Sequence, residues 1–253
     1  MRGWSKIYQP RTQVHIREAG ELFDSALGLD PDNVNAMIGK SWCLVINLFN
    51  QWSASIETDK RIATELIDRA LAKWPSSALA HTVKGEVIRF GNPETAIAEY
   101  DAALQIDPNY LPAYLFRGTA LILSGRAREA FSPLQIALRL SPKDPLAVII
   151  HYHVGHAHLH LREYADTIDE CRRSINLNKA FWWAYPDLVV AYSATGQLEQ
   201  AKQALADLYQ IRPDFTIQQY QQLAFTLSSN PQFRKEFTEI LVEGMRKAGV
   251  REQ

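Results

Sequence analysis

Along this chain, small and large apolar residues recur with the period of a helix, and the helical stretches come in pairs. The clearest pair runs from Pro108 to Pro142, two amphipathic patterns around the turn Ser124-Gly125-Arg126. Gly118, Ala130 and Ala137 put small side chains where two helices must approach, and Tyr114, Leu121, Phe131 and Leu134 supply bulk between them. From Pro to Pro the unit is 34 residues long. A helix pair of that size cannot bury its own apolar face, which predicts copies stacked on either side.

The rest of the chain supplies them. Residues 1–9 read as the second half of a helix, so the chain is expected to start inside a repeat cut short; Pro10 breaks this helix and Thr12 caps the next, which ends at Leu29-Asp30-Pro31. The second unit measures 44 residues, with its surplus around Asn50 to Asp59, where the helical period lapses into a longer first helix or a loop. The third is 33 residues, with Gly85 at the close-approach position and a turn at Gly91-Asn92-Pro93. The fifth closes at Lys179 after 37 residues; with Gly155 in the close-approach slot, its three extra residues fall between Ala147 and Val154 and lengthen the first helix by most of a turn. The sixth turns at Thr195-Gly196-Gln197 and ends at Pro213. Two further helical patterns, 217–227 and 231–248, follow, the second capped by Asn230 and started by Pro231. The expected organisation is about six units over residues 1–216, the first truncated and the second and fifth enlarged, with residues 217–253 covering the open end of the stack.

An aromatic residue, Leu-Gly or its equivalent, Ala twelve residues on, a second aromatic, another Ala and a closing Asp/Ser-Pro resemble the tetratricopeptide repeat over nearly the whole chain. The resemblance implies an all-α fold, a TPR-type right-handed superhelix of antiparallel helix pairs (an α-solenoid), whose groove is lined mainly by the first helix of each pair. RGWSKIYQPRT at the start, the long second unit, SPKDPLA, PDFT and EGMRKAG also look like the repeat region C-terminal to bacterial class III adenylate or guanylate cyclase domains or winged-helix regulators. In that family a catalytic or DNA-binding part precedes the repeats. Its catalytic residues have no counterpart in this sequence, so the activity is not carried over.

Charge narrows the partners. The net charge of −1 gives no overall positive field for phosphate backbones or anionic lipid, so neither nucleic acid nor membrane is an expected partner. No apolar run approaches the roughly 20 residues of a membrane span, and no signal-peptide pattern opens the chain. Cys43 and Cys171 lie far apart without paired spacing, which suits two buried thiols in a reducing, cytoplasmic setting. No P-loop, dinucleotide fingerprint or nucleophile elbow is present, and Asp166, Asp169 and Glu170 belong on a solvated helix face. Enzymatic activity and a cofactor are therefore not expected of this chain.

Five of the seven histidines fall between His151 and His160. On a helix His153, His156 and His160 share a face and are the candidate metal ligands, while the competing reading makes them groove or core residues. Phe181-Trp182-Trp183-Ala184-Tyr185 either fills the seam between repeats or anchors a partner, with Trp183 the candidate groove residue. Trp42, Arg89, Tyr152, His156 and His160 complete the expected groove. The Lys and Asn clamp by which some family members hold a terminal carboxylate is replaced by residues such as Thr82, Glu86, Leu115 and Thr119, so chaperone-type acidic C-terminal peptides are not expected ligands. The functional expectation is a scaffold that binds a peptide or protein, or docks a neighbouring domain of the same polypeptide, in a bacterial signalling protein. Two alternatives stand beside it: the C-terminal region of a nucleotide cyclase, and a metal-responsive module. Homodimerisation through the ends of the stack is left open.

Overall fold

Several helices of the chain start where a side-chain oxygen meets their free backbone N–H groups. In a computed structural model, which describes residues 2–7, 12–140 and 145–253, all regular elements among the described residues are helical apart from one bridge between Gly91 and Ser228. The helices are α1 (Arg2–Ile7), α2 (Gln13–Leu29), α3 (Val34–Phe49), α4 (Ile56–Lys73), α5 (Ala78–Arg89), α6 (Pro93–Ile106), α7 (Leu111–Leu123), α8 (Ala127–Leu140), α9 (Ala147–His160), α10 (Tyr164–Leu177), α11 (Ala184–Ala194), α12 (Leu198–Ile211), α13 (Ile217–Leu227), α14 (Pro231–Glu236) and α15 (Glu243–Lys247). A π-helical segment, Phe237–Val242, joins the last two into one rod. Pro10 and Pro142, with most of the SPKDP stretch, lie outside the described residues.

Side-chain oxygens of Thr12, Asn33, Ser55, Ser77, Thr216 and Asn230 accept from backbone N–H groups in the first turns they precede, which is why those helices begin there. After α7 and α11 the chain reverses through Gly125 and Gly196, both in the left-handed region, with Arg126 N–H donating to Leu121 O and Gln197 N–H to Tyr192 O. After α9 the same motif is made by Arg162, a non-glycine at φ 61°, with Glu163 N–H donating to His158 O.

The chain forms two compact units, one of residues 1–90 and 95–113, the other of residues 91–94 and 114–253. In the first unit the close approaches are made by glycine against an aromatic ring: a Cβ on Gly39 would sit 2.3 Å from Phe23, and one on Gly85 would sit 2.4 Å from Tyr100. The surplus of the second repeat is divided between a loop at 50–55 and two long helices, α3 with 16 residues and α4 with 18. In the second unit Gly118 meets Leu134 and Gly155 meets Cys171 in the same way. The expected lengthening of the fifth unit's first helix is only slight, since α9 has 14 residues against 13 in α7. No helix among the described residues is long and apolar enough to cross a membrane.

The end of the chain makes two sets of contacts. The tail bonds to α12 and α13: Arg251 N–H donates to Tyr209 Oη, and the Ile217 and Gln218 N–H groups donate to Arg251 O and Glu252 O. The rod from Pro231 to Lys247 instead packs on α9 and α11. Its apolar residues Phe233, Phe237, Ile240, Leu241 and Met245 are all buried, and α11 receives it closely enough that a Cβ on Gly244 would lie 2.6 Å from Val190.

Candidate interaction face

Within the second unit the residues that sequence reasoning assigned to a groove meet the chain's own C-terminal rod. His156 and His160 are one helical turn apart on α9, with ring centroids 4.8 Å apart. Each is held through Nδ1 by a carboxylate from elsewhere in the chain: His156 by Asp187 Oδ2 of α11 at 2.7 Å, His160 by Glu236 Oε2 of α14 at 3.0 Å. The Phe233 ring stacks on His160 at 5.4 Å. Burial holds the His160 imidazole below its ordinary pKa, helped by neighbouring His156 and opposed by the hydrogen bond to Glu236, so the ring is neutral near pH 7 and its proton sits on Nδ1. Burial pushes the Glu236 carboxyl up, but hydrogen bonds from His160 and Gln232 outweigh this and keep it low.

This contact is not fully satisfied. His160 Nε2 and Asp187 Oδ1 are buried without a hydrogen-bond partner among the described residues, and Asp187 has no solvent exposure. Such groups are costly inside a fold.

Next to the histidines lies an aromatic floor. Trp182 and Trp183 stack at 4.2 Å, and the Arg212 guanidinium stands 4.7 Å over the Trp182 ring. Tyr220 of α13 lies within 6.2 Å of both indoles. Burial raises the Tyr152 and Tyr220 phenols well above their usual range, so they remain neutral donors. Phe181, Trp182 and Trp183 are only half-buried and form the accessible margin of this floor.

The expected groove residues thus separate. Tyr152, His156 and His160 come together, and Trp183 lies 6.4 Å from Tyr152, but the first three are buried under α13 and α14 and do not line an open channel. In the first unit Arg89 is internal: its guanidinium donates twice to Glu86 at 2.6 Å, Tyr100 Oη donates to the same carboxylate at 2.6 Å, and Phe49 lies under it at 4.2 Å. Trp42 is partly buried among apolar clusters that contain Phe23, Ile67 and Val87. Sequence reasoning missed Asp187, although an acid within Tyr185-Pro186-Asp187-Leu188-Val189-Val190 is a visible signal of a buried polar contact.

The expected ligand trio does not gather around one point. His153 lies beside the Tyr152 ring at 4.7 Å, and the Nδ1 atoms of His156 and His160 face carboxylates on different helices. Among the described residues the ligating atoms that converge within 4.8 Å are those of His158, Glu163 and Asp166. There Glu163 accepts from His158 at 2.7 Å and pairs with Arg128 at 3.5 Å. Asp166 and Asp169 are exposed as expected, whereas Glu170 is tied to His151 at 2.6 Å.

Known proteins share this architecture. Residues 58–110 match a family model described as tetratricopeptide repeat. Over 93 residues the chain is 27% identical to the Protein SGT1 homolog of Oryza sativa subsp. japonica, a match covering 36% of this chain and 25% of that protein. The fold is similar to a chain of the APC/C hetero-tetramer Cut9-Hcn1, with TM-score 0.69 and 19% identity over 84% of this chain and 39% of that one. It is also similar to Pseudomonas aeruginosa pilF, with TM-score 0.62 and 17% identity over 85% and 96% of the two chains. A third likeness is to the type IV pilus biogenesis factor PilW, with TM-score 0.61 and 20% identity over 83% and 94%. The chain spans about a quarter of its curated relative and about two fifths of the Cut9-Hcn1 chain. Stacked antiparallel pairs and a matching repeat define the class: the protein has the fold of a tetratricopeptide repeat solenoid.

Proposed function

We propose that this chain is a protein interaction module of the tetratricopeptide repeat type, whose recognition surface is the face of α9 and α11 with the aromatic floor beside it. The observation that carries this reading is the half-buried run Phe181-Trp182-Trp183, rigid aromatic area of the kind that anchors partners, next to a face already able to hold a helix. The partner is a peptide, a protein or a neighbouring domain of the same polypeptide, with no cofactor and no catalytic step in this chain. The stretches that look like cyclase-associated repeats are the ground for reading the chain as a regulatory part of a bacterial signalling protein, working in the cytoplasm, with the C-terminal region of a nucleotide cyclase as the alternative.

Affinity capture from the source organism with the full chain, run beside Trp183→Ala and Trp183→Phe, tests the reading. A specific polypeptide retained by wild type and by Trp183→Phe but lost with Trp183→Ala is the expected result. The same polypeptide recovered with all three would contradict it.

A metal-responsive module is a second reading, favoured only by the convergence of His158, Glu163 and Asp166. Isothermal titration with zinc checks it: heat that His158→Ala abolishes supports the reading, and heat unchanged by that substitution, or none, opposes it.

A further inference from the structure

We propose that the face of α9 and α11 recognises an amphipathic helix, and that residues 231–247 are its resident occupant, which a partner helix must displace. This rests on the scaffold reading above and names the partner's chemistry.

The rod is seated as a helical ligand is seated in a groove. Phe233, Phe237, Ile240, Leu241 and Met245 supply buried anchors along one side, at spacings of four, three, one and four residues. A π-helical segment spans the middle of this series, and segments of that kind recur at functional sites. Polar recognition is confined to a few places: Glu236 meets His160, and Glu239 stands 3.8 Å from Arg162 at the margin. The seat therefore asks for an acceptor such as a carboxylate opposite the His160 Nδ1–H and an acid facing Arg162.

Two features bear on whether a partner can take this seat. First, the buried atoms His160 Nε2 and Asp187 Oδ1 find no partner in the chain's own rod. A competing helix that carries a hydrogen-bond donor able to reach Asp187 would satisfy what the resident leaves unmet. Second, the rod is tethered by a short extended link. Ser228 Oγ donates to Leu123 O at 2.6 Å, and Arg234 donates to Ser228 O and Phe225 O. Tethering gives the resident a high effective concentration, which lowers the apparent affinity of a free helix of equal intrinsic strength without abolishing it. The occupant sought is thus an aromatic, acidic amphipathic helix with a donor set near Asp187.

The test uses the full chain carrying Val190→Cys and Gly244→Cys. A Cβ at position 244 would lie 3.3 Å from Val190 Cβ, close to the roughly 3.5–4.5 Å that a disulfide spans. Oxidation should close the bond within one chain and lock the rod; reduction should free it. The probe is a fluorescein-labelled peptide of residues 228–250, read by anisotropy. We expect it to bind the reduced protein roughly tenfold or more tightly than the oxidised one, and a Glu236→Ala peptide to bind the reduced protein several-fold more weakly. Equal affinity in both states, no binding in either, or equal binding of the two peptides would overturn the proposal. So would a covalent dimer, which would make a second copy the occupant, or a reduced protein in which the rod opens only together with α9 and α11, which would make the rod part of the core. If the peptide is refused while Trp183-dependent capture persists, only this proposal falls; if both fail, the scaffold reading falls too.

Discussion

His160 on α9 and Glu236 on α14, 76 residues further along the chain, share a hydrogen bond of 3.0 Å that ties the last helical rod to a first helix of the stack. The imidazole side chain is fully enclosed and the carboxylate side chain is 22% exposed. Glu236→Ala therefore leaves a buried Nδ1–H without its acceptor and should lower unfolding stability by about 1–3 kcal/mol. Glu236→Gln keeps an acceptor and should lose less. Urea denaturation of the three proteins orders them.

Acid should loosen the same contact. The folded pKa of His160 is depressed, so the opened or unfolded chain takes up a proton that the folded chain does not, and stability falls as pH drops below the ordinary histidine value of about 6.5 toward the folded pKa. Glu236 acts in the same direction at lower pH: its folded pKa lies below 4.5, so its contribution is present above that value and is lost as pH falls through the folded pKa. The groups facing His160 are His156 on α9, Asp187 on α11 and Glu236 on α14. Thermal melts from pH 7.5 to 5 should show a decline for wild type that His160→Gln reduces.

In the first unit, the Glu86 carboxylate holds a buried charge. Glu86→Ala removes both hydrogen bonds from Arg89 and the one from Tyr100, and should destabilise by roughly 3–5 kcal/mol. Tyr100→Phe takes away a single donor and should cost about 1 kcal/mol. Denaturant midpoints that fall equally in the two variants would contradict this ordering.

Glycines on this chain divide by what surrounds them. A Cβ on Gly39 would meet Phe23 at 2.3 Å, so Gly39→Ala should destabilise by about 1–3 kcal/mol. Gly28, inside α2, has nothing within 4 Å, and Gly28→Ala should stabilise by roughly 0.5–1 kcal/mol. Opposite shifts in melting temperature are the expected readout.

The repeat itself was legible because its packing is local: Gly85 against Tyr100, Gly118 against Leu134 and Gly155 against Cys171 all follow from sequence spacing within one helix pair. The seat of the C-terminal rod was not. An amphipathic pattern over 231–248 shows that one side must be covered, but not by which helices, and the π-helical segment leaves no mark in residue type. The place of Arg89 is hidden for a related reason. A charged residue on a first helix reads as a groove contact, yet Glu86 three residues earlier shares its face, and Phe49 from another repeat encloses the pair.

Native-state hydrogen exchange across the full chain addresses the central claim most directly. If residues 231–247 are a displaceable occupant, their amides should exchange through an opening of lower free energy than those of α9, α10 and α11, without unfolding these helices. Amides of the rod and of α9 to α11 exchanging together, with one common free energy, would contradict it.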